Sequence, residues 1–501
     1  MQKGVVDFIT LGCSKNLVDA ERVMRQLEAA GWTCVHDPKE PKGEVCVINT
    51  CGFIGDAKEE SINMILQMAE RKKKGKLRKL IVMGCLSERY RAELEAEMPE
   101  VDEYYGKFDF ENLTLTLSQG EGKDAGYNPA KLTESAEGSQ TKHAEGSQTK
   151  PAEGCAPYER KLTTPKHYAY LKISEGCNRM CSYCAIPLIT GRHTSRPMEE
   201  ILDEVRWLVK QGVKEINVIA QDLSSYGLDL VDSRSSLVDG HSSLVDSRSS
   251  LVDGSKTSSV SHQRRHLLPE LIDQMAQIEG VEWIRLHYAY PTDFPEGLLD
   301  IMAKHKNVCK YLDIALQHCT DHMLGLMRRH ITCAEQDALI HKIRERVPGI
   351  CIRTTLLVGH PGETEEDFEE LKSWVKEMRF ERMGCFAYSD EEGTYANKHY
   401  KDDIPQEVKE RRVEELMAIQ QGISGELMQR LVGTVQRVVI DRKEGEYFIG
   451  RTQFDSPEVD CEVLIRDNGQ GTMDKGLIGE FCEVKITKAE EFDLYGEVVG
   501  R

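Results

Sequence analysis

A chain of 501 residues with 40% apolar and 30% charged side chains has room for about three domains with buried cores. Its formal net charge of −19 argues against holding nucleic acid by bulk electrostatics and suits a basic partner. No apolar run approaches the roughly 20 residues of a membrane span, and MQKGVVDFITLGC lacks the features of a secretory signal, so the cytoplasm is the expected compartment.

The first 118 residues alternate strand and helix patterns. VVDFITLGC, EVCVINTC and LRKLIVMGC read as buried strands, with amphipathic helices between them, which predicts an open, mostly parallel α/β sheet. Residues 119–165 contain AEGSQTK twice and few aromatics, the composition of a linker that cannot offset its ordering entropy. Over 166–400, six strand patterns separated by helical ones predict a partial (βα)6 barrel, with its active site at the carboxyl ends of the strands. An LVD repeat at about 228–263 reads as a flexible surface insertion, because its Ser, Asp and Gly content opposes a coiled coil. A helical connector spans 401–430, and short β runs with Gly-rich turns over 431–501 predict a small all-β barrel. The fold class is therefore α/β and multidomain.

The chain has 16 cysteines, which in a cytoplasmic protein of this length point to metal or catalysis. Cys177, Cys181 and Cys184 form a C-x3-C-x2-C loop directly after the first barrel strand. Three thiolates can hold one corner of an iron–sulfur cubane and leave one iron open to a small molecule. The alternative is a zinc knuckle, which needs a fourth ligand; His193 is the nearby candidate. Cys13, Cys51 and Cys85 each follow a predicted strand of the first domain, on the edge where open α/β sheets gather ligands. Three ordinary buried cysteines are the alternative there, and the expectation for Cys34, Cys46, Cys319, Cys351 and Cys385.

CNRMCSYC on a six-unit βα chain resembles the signature of radical S-adenosylmethionine enzymes. GCSKNLVDAE, NTCGFIGDAKEES and GCLSERY resemble the first domain of methylthiotransferases, and the terminal segment resembles a TRAM domain. The resemblance implies two 4Fe-4S clusters. Cys177, Cys181 and Cys184 would carry the one that binds S-adenosylmethionine, and Cys13, Cys51 and Cys85 the auxiliary one. It implies S-adenosylmethionine as radical source and methyl donor, together with an electron donor and a sulfur donor. LGCSKN, against the GCQMN of the transfer-RNA-directed MiaB-type branch, resembles the RimO-type branch, whose substrate is an aspartate β-carbon of ribosomal protein S12. The 431–501 segment carries 15 Asp/Glu against 9 Lys/Arg, a net of −6, which suits a basic protein rather than RNA. Softer candidates for contacting the cofactor are Gln221, Asp222, Gln317 and the Val358–Gly362 segment. Arg285 and Arg353 fit either a carboxylate ligand or a structural ion pair. Two departures from the family, Ala315 for proline and His360 for phenylalanine, predict altered packing, with His360 a neutral loop histidine.

Overall fold

The computed structural model describes residues 3–107, 109, 113, 117, 156, 158–230, 266–466 and 475–500. The AEGSQTK repeats and all but the first residues of the LVD insertion lie outside the described residues.

The first domain is a five-stranded parallel sheet in the order β2-β1-β3-β4-β5, with β1 Val5–Thr10, β2 Thr33–His36, β3 Val45–Thr50, β4 Lys79–Gly84 and β5 Glu103–Tyr104. The period of two along each strand decides the layers. Val45 and Val47 pack with Ala20, Val23 and Leu27 of helix α1 (Ser14–Ala29). Cys46 and Ile48 face the other way, onto Ile65 of α2 (Gly55–Lys73) and Leu94 of α3 (Cys85–Glu97). Burial on both faces explains why the three central strands read as continuous apolar runs.

The second domain is a six-stranded parallel sheet, open between β6 and β13. Its strands are β6 Tyr168–Lys172, β9 Glu215–Ile219, β10 Trp283–Ala289, β11 Val308–Ile314, β12 Cys351–Val358 and β13 Arg382–Ala387. An antiparallel ribbon, β7 Ser174–Glu175 with β8 Thr194–Ser195, closes the base of the cysteine loop. Ile216, Val218, Ile284, Leu286 and Ile352 lie beneath the outer helices in one apolar layer. The alternate residues, among them Glu215, Trp283, Arg285, Tyr311 and Arg353, therefore turn into the barrel. The helix Gln406–Gln429 packs along β13.

The third domain is a closed barrel in the order β14-β15-β16-β18-β17, with β14 Val435–Glu444, β15 Tyr447–Thr452, β16 Val463–Arg466, β17 Phe481–Ala489 and β18 Leu494–Gly500. It plugs the amino-terminal end of the second domain. Val439, Phe454 and Phe481 pack on Trp283, Cys309, Tyr311 and Cys351. Arg285 and Arg451 both hold Glu215, at 2.9 and 2.8 Å. Arg382 meets Asp455 at 2.6 Å, and Arg353 meets Asp460 at 3.3 Å.

Residues 158–165, which composition places in the linker, are packed against α1. The fully buried Arg160 guanidinium lies 2.8 Å from Glu21 and 3.2 Å from Glu204, so these residues belong to the packed structure, not to the linker. Two buried carboxylates outweigh the local composition there.

Candidate functional site

In the first domain, three adjacent strands each deliver a cysteine from their carboxyl ends. Cys13 caps the amino terminus of α1 after β1, Cys51 directly follows β3, and Cys85 opens α3 after β4. Asn16 ties the three loops together. Its Nδ2 donates to Leu11 O and Thr50 O at 3.1 and 3.0 Å, and its Oδ1 accepts from Cys85 Sγ at 3.4 Å. Gly12, at φ 93°, is required twice over: a Cβ there would sit 2.9 Å from Cys51 Cβ.

Burial raises the Cys13 thiol, yet Lys15, the Asn16 N–H and Lys107 outweigh it and bring the thiol below its ordinary value. Burial pushes Cys85 up to about 12, against the pull of Lys107, and raises Cys51 as well. Cys34 and Cys46 are buried away from this edge, as expected of structural thiols.

In the barrel, the β7–β8 ribbon presents the second triplet. Gly176, at φ 75°, lets the chain pass Arg192 O, which a Cβ would approach to 2.1 Å. The Cys177 N–H donates to Gly191 O at 3.2 Å, and Cys177 Sγ accepts from Arg179 N at 3.5 Å. Cys181 Sγ accepts from Arg329 Nη1 at 3.3 Å and lies 3.5 Å from Tyr290 OH. Burial pushes Cys177 up to about 12 and raises Cys184 further. Such thiols keep their protons until a metal displaces them.

Behind this loop, buried His360 holds Ser182 Oγ at 3.0 Å and sits among the rings of Tyr183, Tyr388 and Tyr400. Burial depresses its pKa to about 4, so it is neutral, as the sequence suggests. Ala315 N–H donates to Ala289 O at 3.1 Å, a bond proline could not make.

His193 bonds Ser195 Oγ at 3.1 Å rather than completing a zinc knuckle. Among the described residues, no three His, Cys, Asp or Glu side chains are grouped to share one metal ion. Beside the second loop, Gln221 Oε1 and Asp222 Oδ1 are buried with no hydrogen-bond partner among the described residues, although Gln221 Nε2 holds Glu175 and Asp222 Oδ2 holds Arg179. Orphaned acceptors suit a ligand that brings amine donors. Gln317 adopts φ 72° and pairs through its backbone with Thr355. Arg285 and Arg353 take the structural-ion-pair role at the plugged end, and Cys319, Cys351 and Cys385 are buried.

Buried charges connect the two cysteine edges. Lys107 lies 3.2 Å from Glu175 and 4.0 Å from Asp19, while Lys172 pairs with both carboxylates. Lys107 is felt by Cys13, Cys51 and Cys85, and Glu175 stands two residues before Cys177. The triplets thus share one polar seam. The sequence-based reading missed Lys107, Arg329 and Tyr290, which carry no motif. Asn16 lies inside the GCSKN stretch, where spacing alone assigned it no role.

Family models match the chain in three stretches: the Uncharacterized protein family UPF0004 over residues 5–106, the Radical SAM superfamily over 171–375 and the TRAM domain over 432–499. The chain is similar to the ribosomal protein uS12 methylthiotransferase RimO of Phocaeicola vulgatus, 55% identical over 499 residues and 100% of both chains. The protein of that name from Bacteroides fragilis is 54% identical over 100% of both chains. That of Flavobacterium johnsoniae is 46% identical over 99% of this chain and 98% of its own. At these identities over the full length, the chain belongs to the radical S-adenosylmethionine methylthiotransferase family of RimO type.

Proposed function

We propose that this chain methylthiolates the β-carbon of an aspartate in ribosomal protein uS12, using S-adenosylmethionine as radical source and methyl donor. The observation that supports this reading most directly is the shared seam: two cysteine triplets, each at a strand-end edge, joined by Lys107 and Glu175.

Cys177, Cys181 and Cys184 would hold a 4Fe-4S cluster that binds S-adenosylmethionine, and Cys13, Cys51 and Cys85 a second one. Once bound, these groups supply reductive cleavage of the sulfonium, hydrogen abstraction by the resulting 5′-deoxyadenosyl radical, and the sulfur to be transferred. The chain's own residues bind and orient. Arg329, stacked 4.0 Å from the Tyr290 ring centroid, holds Cys181 Sγ and offsets thiolate charge. Gln221 and Asp222 offer buried acceptors to the amino group of the cofactor. Asn16 fixes the separation of the first three loops, and Ser182 with His360 fixes the second.

Among the described residues, no helix is long and apolar enough to cross a membrane. A ribosomal substrate and free thiols suit the cytoplasm, where an electron donor and a sulfur donor are the remaining partners.

Anaerobic reconstitution and intact-mass analysis of uS12 test the proposal. About eight irons per chain and a methylthio-sized increment on one aspartate are expected. An iron-replete enzyme that cleaves S-adenosylmethionine but leaves uS12 unchanged would overturn the substrate assignment.

A further inference from the structure

The cations along the seam are matched. Lys107 and Lys172 meet Glu175 and Asp19, and Arg179 meets Asp222. Lys15 differs. It stands two residues after Cys13, is only 9% exposed, and has no ion-pair partner among the described residues. Its Nζ lies 3.4 Å from the centroid of the Tyr288 ring, across the seam at the carboxyl end of β10. Tyr288 holds a left-handed φ of 65°, and its N–H reaches Asp313 Oδ2 at 3.4 Å. Asp313 itself is engaged by Arg353 at 3.5 Å. A bulky residue in that backbone region is strained, and such strain persists where the surroundings fix a side chain for use.

With no carboxylate at ion-pair distance, the ammonium is under-compensated: the ring quadrupole and the longer-range pull of Asp313 offset part of its lost hydration, and a carboxylate in direct contact would offset far more.

We infer that Lys15 is the specificity-determining cation that binds the carboxylate of the target aspartate, with the Tyr288 ring holding the ammonium in place until the substrate arrives. This rests on the uS12 reading above and deepens it. Lys15 makes or breaks no bond. By gripping the carboxylate next to Cys13, it places the adjacent β-carbon at the seam between the two triplets and rejects side chains without charge. An Asn side chain of the same shape would leave the ammonium unpaired.

The test compares uS12 with the same protein carrying asparagine at the target position, each titrated against reconstituted enzyme normalised for iron. The wild-type enzyme is expected to bind the aspartate form at least about tenfold more tightly. In Lys15→Met and Lys15→Gln the two forms should bind within about twofold of each other, and Lys15→Arg should restore most of the preference. A wild type that binds both forms equally, or a neutral variant that keeps the preference, overturns the inference. If wild-type enzyme fails to modify uS12 in the parallel mass measurement, the functional reading fails as well. Intact modification with an unchanged aspartate preference in Lys15→Met removes the role of Lys15 alone. Iron content equal to wild type separates loss of recognition from loss of fold.

Discussion

At the amino-terminal ends of the barrel strands, buried charges are paired. Arg285 and Arg451 share Glu215, Arg382 meets Asp455, and Arg353 meets Asp460. At the carboxyl ends, Gln221 Oε1 and Asp222 Oδ1 are buried with no hydrogen-bond partner, and Lys15 has no ion-pair partner, among the described residues. Left-handed non-glycine residues occur there too, at Met180, Tyr288 and Gln317, against Glu458 among the described residues of the plugging barrel. The plugged end, where Arg382 Nε alone of these groups has no hydrogen-bond partner among the described residues, fixes the barrel. The open end keeps unmet polar groups and strained backbone, which a rigid scaffold can sustain and which ligands can satisfy.

The sharpest way to break this comparison is to remove one thiol from each end. Cys51→Ala or Cys177→Ala should lower reconstituted iron by about four per chain and abolish modification of uS12. Cys309→Ala, at the plugged end, should leave iron unchanged. Iron loss in the Cys309 variant would show that the two ends are not separable.

Next in size is the ion network. Arg285 is fully buried, and Arg285→Met would leave Glu215 with Arg451 alone. A cost of about 3–5 kcal/mol in unfolding free energy is expected, measured by denaturant titration. The electronic absorption of the bound clusters should not change.

Smaller still is a pH effect at the open end. The His360 pKa is about 4 in the folded chain, against about 6.5 when unfolded. Its contribution is therefore fully present above pH 6.5 and is lost as pH falls toward 4, because only the unfolded chain takes up the proton. Between pH 7 and 5 the wild type should lose about 2 kcal/mol more stability than His360→Phe, read from unfolding midpoints at the two pH values. Equal pH slopes would show that His360 is not held neutral.

Strands and cysteines were legible from sequence for a simple reason: both are local. The six barrel strands carry their own apolar periodicity, and both triplets sit at the ends of such strands. Edge strands β2 and β5, of four and two residues, are too short to show a period. The Lys107–Glu175 and Arg285–Glu215 pairs join residues 68 and 70 positions apart, and only the fold brings them together. Charge counting misjudged the terminal barrel in one respect. Part of its acidity faces inward, since Asp441, Asp455 and Asp460 are spent on arginines. Its net charge is thus a weaker guide to a docking partner than it first suggested.

The same terminal barrel provides the finest test of what burial contributes. Arg442 holds Glu462 through two bonds of 2.6 and 2.9 Å, a geometry as good as that of the Arg285 pair. Its side chain is 43% exposed, however, where that of Arg285 is 0%. Water compensates the partner left behind at the surface, so Arg442→Met should cost under about 1 kcal/mol. Raising the salt concentration should shrink even that difference, while the Arg285→Met effect should persist. A cost at Arg442 equal to that at Arg285 would mean that bond geometry, rather than exclusion of water, makes the plugged end rigid.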